Sequence, residues 1–129
     1  MSLQVIGTPW GASQVRREIA EGLEWVSTAS HGGYRLSDER WAALSAAFPG
    51  VRSFAGAGWL EEDEDWSLAV LAWPELFDDQ TVYNAYRTAQ SRQDIAAWWL
   101  TQAGIAFSLR AEAFAASVAD KWQRGSCGT

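Results

Sequence analysis

The chain has little cysteine, histidine, lysine or proline, and each shortage removes a class of protein. Cys127 is the single cysteine among 129 residues, so no internal disulfide can form and a disulfide-stapled secreted scaffold is excluded. His31 is the single histidine; with one His and one Cys, the ligand set of a zinc site is missing. Three prolines and eleven glycines exclude collagen-like and Pro-rich fibres. No apolar run reaches the length of a membrane span; Trp66 to Trp73 is the longest candidate and is far too short. No Walker loop, G-x-G-x-x-G, H-E-x-x-H, G-x-S-x-G elbow or zinc-ribbon spacing occurs. The first residues carry no basic segment followed by a long apolar run, so no signal peptide is expected and a reducing cytoplasm fits.

Positive charge is scarce as well. Sixteen acids face ten bases, for a net charge of −6, and nine of the ten bases are arginine. That balance disfavours direct nucleic-acid or anionic-membrane binding and favours a partner with a basic surface.

What is abundant is tryptophan. Nine indoles (Trp10, Trp25, Trp41, Trp59, Trp66, Trp73, Trp98, Trp99, Trp122) are many for one small core. Hydrophobic residues make up 48%, which suffices for one compact domain and excludes a disordered chain. A single domain over 1–124 is expected, with 125–129 a flexible tail.

The glycines crowd into the first half and mark turns between short elements. Leu3–Gly7 reads as a strand, Thr8–Gly11 as a turn, Ala12–Glu21 as a short helix, and Leu23–Thr28 as a strand. Ala29–Gly33 reads as a loop, with extended structure resuming at Tyr34–Leu36. Ser37 suits an N-cap for a helix over Asp38–Ala47, followed by a short strand at Val51–Phe54. Trp66–Trp73 fits either a helix or a strand buried on both faces; its shortness and Pro74 favour the strand. A turn or short helix opens at Pro74–Phe77. Thr81–Ala89, Asp94–Gln102 and Ile105–Gln123 read as helices. In the last, Leu109, Ala113, Ala116 and Lys121 follow one side, and Phe107, Phe114 and Val118 widen the apolar stripe. The resulting class is α+β: a small antiparallel sheet from the N-terminal half packed against C-terminal helices.

Two segments carry candidate chemistry. Ser27-Thr28-Ala29-Ser30-His31-Gly32-Gly33 admits a catalytic reading, with His31 as general base and the glycine amides as an anion pocket. It equally admits a plain turn whose hydroxyls cap backbone groups, and that reading has the greater weight. Glu61-Glu62-Asp63-Glu64-Asp65 places five carboxylates in succession between Trp59 and Trp66. A solvated acidic turn is the plainest account, then a contact patch for a basic partner, then a divalent-cation site. The Ca-loop pattern is absent, so no metal and no cofactor are expected.

The order Thr8-Pro9-Trp10-Gly11, Ser27–Gly33, Gly58–Trp66 and Pro74-Glu75-Leu76-Phe77 resembles a family of small uncharacterised domains from bacteria and from bacteriophages or other mobile elements. The resemblance spans roughly residues 5–80, with Gly56-Ala57-Gly58 and Trp73 departing from its pattern. It implies no catalytic residue. It implies a setting, the cytoplasm of a phage or prophage host. In that setting the expected function is stoichiometric binding. The chain would inhibit a host defence system, of anti-CRISPR or anti-restriction kind, by occluding a basic nucleic-acid-binding surface of a protein or ribonucleoprotein complex. The expected contact residues are Trp59, Glu61, Glu62, Asp63, Glu64 and Asp65. Two alternatives stand beside it. One is a hydrolase-like enzyme using His31, Ser30 and Glu62; the other is a dimerisation module, a homodimer through exposed helical tryptophans.

Overall fold

Alternation and glycine turns build the N-terminal half into antiparallel sheet. The computed structural model describes residues 4–127. Strands β1 (Gly7–Thr8) and β2 (Gly11–Ala12) form a small hairpin around Pro9 and Trp10. Strands β3 (Val15–Ala20), β4 (Leu23–Ser27), β5 (Gly32–Leu36) and β6 (Trp59–Glu61) form a separate sheet in that order, antiparallel throughout. Helix α1 (Asp38–Ala47) lies in the connection between β5 and β6, and α2 (Trp66–Ala72), α3 (Asp79–Ala89) and α4 (Gln102–Cys127) follow. The fold is therefore α+β, a small antiparallel sheet with helices behind it.

Several elements follow their sequence signals closely. Ser37 caps α1, its hydroxyl accepting from the Arg40 amide at 3.2 Å. Asp78 caps α3 in the same way, accepting from the Thr81 amide at 2.8 Å. Pro74–Leu76 is a single 3₁₀ turn.

Other segments differ from the sequence reading, each for a tertiary reason. The expected helix at Ala12–Glu21 is instead β2 and β3. The Glu21-Gly22 turn, with Gly22 at φ +78°, folds β3 back onto β4. Arg16 and Glu24 then meet across the strands at 2.8 Å. The expected strand at Leu3–Gly7 reduces to the two-residue β1, and Leu3 lies outside the described residues. Val51–Phe54 has no strand.

Trp66–Trp73 is helical, not extended. Ser67, Leu68, Ala69, Val70 and Leu71 are all buried, so α2 is apolar on every side and shows no period-3.6 pattern. It is wrapped by β5, β6, α1 and α3, and the Ser67 hydroxyl is satisfied by the Glu64 carbonyl at 2.8 Å. Asp94–Gln102 is two 3₁₀ turns, Gln93–Ile95 and Trp98–Leu100, before α4 begins.

The core joins Leu23, Tyr34, Leu36 and Leu60 of the sheet to Leu44, Phe48, α2, Val82, Ala85, Trp98, Phe107 and Ala111. Burying each of the larger side chains contributes about 1.5–3 kcal/mol. Phe107 and Ala111 define the inward line of α4, whereas Leu109, expected on it, is 62% exposed. Helix α4 carries residues 125–127 of the segment read as a tail; 128 and 129 lie outside the described residues.

The indoles divide by place. Trp98 is core, Trp25, Trp41, Trp66, Trp73 and Trp99 pack on its margin, and Trp122 is exposed. Trp10 and Trp59 pair edge to face at 5.6 Å. Among the described residues no helix is long and apolar enough to cross a membrane.

Candidate functional site

Register decides which residues share a face of the sheet. Val26, Gly33 and Glu61 stand in one row across β4, β5 and β6, and Glu24, Arg35 and Trp59 in the next row of the same face. The intervening rows, with Trp25, Tyr34 and Leu60, point to the helices. Glu24, Arg35, Trp59 and Glu61 therefore lie on the outer face, opposite the helical layer.

The β1–β2 hairpin folds over this face and lays the Trp10 ring against Gly33. A Cβ at Gly33 would overlap the Leu60 carbonyl oxygen and sit 2.7 Å from Trp10 Cη2. At Gly32 a Cβ would meet Trp25 Cζ2 at 3.1 Å and Glu62 Oε2 at 3.3 Å. The paired glycines thus serve close approach by two indoles, the β6 backbone and a carboxylate. Both are ladder residues of β5, with Gly32 paired to Ser27 and Gly33 to Val26 and Glu61.

The hydroxyls of this loop hold backbone. Thr28 Oγ1 donates to the His31 carbonyl at 2.8 Å, and the His31 amide donates to it at 3.1 Å. Ser30 Oγ donates to the Trp10 carbonyl at 3.2 Å. These bonds tie the 28–31 turn to the Trp10 hairpin.

His31 is brought to two members of the acidic run. Its Nδ1 lies 3.5 Å from Glu61 Oε1 and 3.6 Å from Glu62 Oε1. The His31 and Glu62 side chains are 47% and 40% exposed, while that of Glu61 is 10% exposed. The other end of the run turns inward. Asp65 Oδ1 receives Arg92 Nη1 at 3.0 Å, and Asp65 Oδ2 accepts from the Phe54 amide at 2.7 Å. Glu64, 57% exposed, lies 3.7 Å from Arg92 Nε. So the five carboxylates do not form one patch. Glu61 and Asp65 are buried, and Glu62, Asp63 and Glu64 face solvent between them.

Charges on the outer face form a ladder. Glu24 receives Arg16 at 2.8 Å and Arg35 at 3.3 Å, and the Arg35 guanidinium lies 5.9 Å from the Trp59 ring centre. An open groove of about 510 Å³ runs beside them, bounded by β3, β4, β5 and the start of α1.

Arg92 organises the neighbouring loop. Hydrogen bonds from Arg92 hold the Asp94 carboxyl below the usual aspartate range, and Asp94 in turn raises the Arg92 guanidinium. Among the described residues no group of three or more His, Cys, Asp or Glu is placed to hold a metal ion.

The sequence motifs are thus gathered by the fold. Thr8–Gly11, Ser27–Gly33 and Trp59–Glu62 meet on the outer face of one sheet, and Pro74–Phe77 lies on the other side, where Phe77 packs against Tyr34. Arg35, Glu24 and Arg92 went unnoticed in the sequence. An isolated arginine has no local signal; only strand register and a contact 27 positions away give these residues their partners.

The sequence itself places this α+β domain in a family. Residues 4–121 match the domain of unknown function DUF7007, so the chain is a member of that family. The match reaches past residue 80 and takes in α3 and most of α4. No curated protein and no solved structure matches the chain.

Proposed function

We propose that the protein acts by stoichiometric binding to a basic surface of a protein or ribonucleoprotein partner. In this reading it inhibits a host defence complex of the anti-CRISPR or anti-restriction kind by occluding a nucleic-acid-binding surface, in a phage or mobile-element setting. The observation that carries the reading is the turn after β6. Its outer carboxylates, Glu62, Asp63 and Glu64, are exposed, while the flanking Glu61 and Asp65 are anchored inward by His31 and Arg92. An acidic turn fixed at both ends loses little entropy on docking, and Trp59 on the adjoining strand supplies an aromatic anchor. Net charge −6 adds steering toward a basic partner.

The test is capture of the natural partner by the wild-type chain and by Asp63→Lys/Glu64→Lys. Capture should be lost on reversal and weaken with added salt, with thermal unfolding unchanged. Capture that survives reversal sinks the reading.

One observation favours a second reading, a hydrolase-like enzyme: His31 stands beside Glu61 and Glu62, as a general base beside its orienting carboxylate would. Ser30 donates to the Trp10 carbonyl and not to His31, so the nucleophile there would be water. His31→Ala must then abolish turnover without lowering stability; a fall in stability alone assigns His31 a structural part.

A further inference from the structure

Helix α4 is sparing with charge. Between Asp94 and Asp120 the chain carries two charged residues, Arg110 and Glu112, and both are engaged within the molecule. Arg110 holds Asp79 and the Pro74 and Phe77 carbonyls, and Glu112 accepts from the Tyr86 hydroxyl at 3.3 Å. At about 100° of turn per residue, the side of α4 opposite Phe107 and Ala111 carries Ile105, Leu109, Ala113 and Ala116, all exposed. Ile105 is 51% and Leu109 62% exposed. Leu100 extends the line. The Thr101 hydroxyl caps the helix, so Leu100 and Ile105 hold the two positions that a hydrophobic staple joins, and Leu100 is 82% exposed. Three large aliphatic side chains in one row, on a helix whose inner face is packed, make an apolar seam in water.

The charge of the molecule narrows the occupant. At net −6, two copies repel wherever their acids meet, and this seam is where the chain can approach itself. The seam is also self-complementary in size. In an antiparallel pair centred on Leu109, Ile105 lies opposite Ala113 of the second copy and Gln102 opposite Ala116, so larger side chains face small ones. Glu112 then lies opposite Ala106, whereas parallel helices would set it beside its own copy.

We propose that the protein is a two-fold dimer, joined by antiparallel packing of the outward faces of α4 at Leu100, Ile105 and Leu109. The seam is aliphatic and contains no tryptophan. The pairing goes beyond the binding function proposed above and does not depend on it. It leaves the outer face of each sheet, which lies opposite the helical layer, uncovered on both copies.

The test uses the full chain in analytical ultracentrifugation across a dilution series. The wild-type chain should sediment at twice the mass of one copy and dissociate on dilution. Leu109→Glu sets two carboxylates together on the two-fold axis. It should weaken the pair at least about tenfold, with an unchanged circular dichroism spectrum. Cross-linking with an added mild oxidant, in a Cys127→Ser background, reads the register. Leu109→Cys should link to itself, Ala116→Cys should not, and a mixture of Gln102→Cys and Ala116→Cys chains should. A chain that is monomeric at every dilution overturns the pairing and leaves the seam to a different protein. A dimer that survives Leu109→Glu overturns the choice of face, and Ala116→Cys linked to itself overturns the antiparallel arrangement.

Discussion

Asp65 and Arg92, 27 positions apart, meet at 3.0 Å with side chains only 10% and 7% exposed. Arg92 joins the turn after β6 to the segment before α4, and its other nitrogens bind Asp94. Removing it leaves the Asp65 carboxylate buried and short of its cation. Arg92→Ala should lower the unfolding free energy by on the order of 3 kcal/mol, read by urea denaturation. Arg92→Lys should recover only part, because one ammonium cannot serve two carboxylates as a fork does. A loss within measurement error in Arg92→Ala would show the pair to be incidental.

Gly33 should be intolerant of even one methyl group. The Cβ would collide with the Leu60 carbonyl and the Trp10 ring, both backed by packed structure. Gly33→Ala should cost about 1–3 kcal/mol and shift the fluorescence of the Trp10 environment. Gly7, where nothing lies within 4 Å of an added Cβ and φ is not positive, is the control. Gly7→Ala should stay within about 0.5 kcal/mol of wild type.

Acid stability follows from two depressed aspartates. Asp94 is lowered chiefly by the Arg92 hydrogen bonds, and Asp78 by its capping bond from Thr81. A carboxyl lowered in the folded state stabilises fully above its ordinary value of 3.8 and loses that contribution as the pH falls through the folded value. Stability should therefore decline as the pH drops below about 4. The decline should be shallower in Asp94→Asn. Identical acid profiles for the two proteins would contradict the assignment.

Thr101 starts α4. Its hydroxyl donates to the Trp98 carbonyl at 2.7 Å and accepts from the Gly104 amide at 3.1 Å. Thr101→Ala should cost about 1 kcal/mol by thermal unfolding, and Thr101→Ser should restore most of it. Equal losses in both would move the cause from the hydroxyl to the methyl.

How far the sequence could be read depended on range. The cap at Ser37 and the helix after it were legible because every signal lies within a few residues. Helix α2 was not, because a short run buried on all sides has no periodicity to separate helix from strand. Strand β3 was misread because Val15 and Ile19 suit a helical spacing, and pairing with β4 overrode it. The Gly32-Gly33 pair stood out, yet its reason, an indole arriving from residue 10, is tertiary. The candidate residues His31, Glu61 and Glu62 were each noticed. Their meeting required β5 to pair with β6 across a connection holding all of α1.

Along β5 the side chains alternate between two duties. Tyr34 and Leu36 point to the helices, and Gly33 and Arg35 to the outside. The helices cover one face of the sheet, and the other is crossed by little more than the Trp10 hairpin. The contacts that hold the helices and the residues of the outer face are thus written on alternate positions of the same strands. Exchanges at Arg35, Glu24 or Trp59 therefore alter the outer face of the sheet while the inward positions of the same strands, and the core they form, stay as they are.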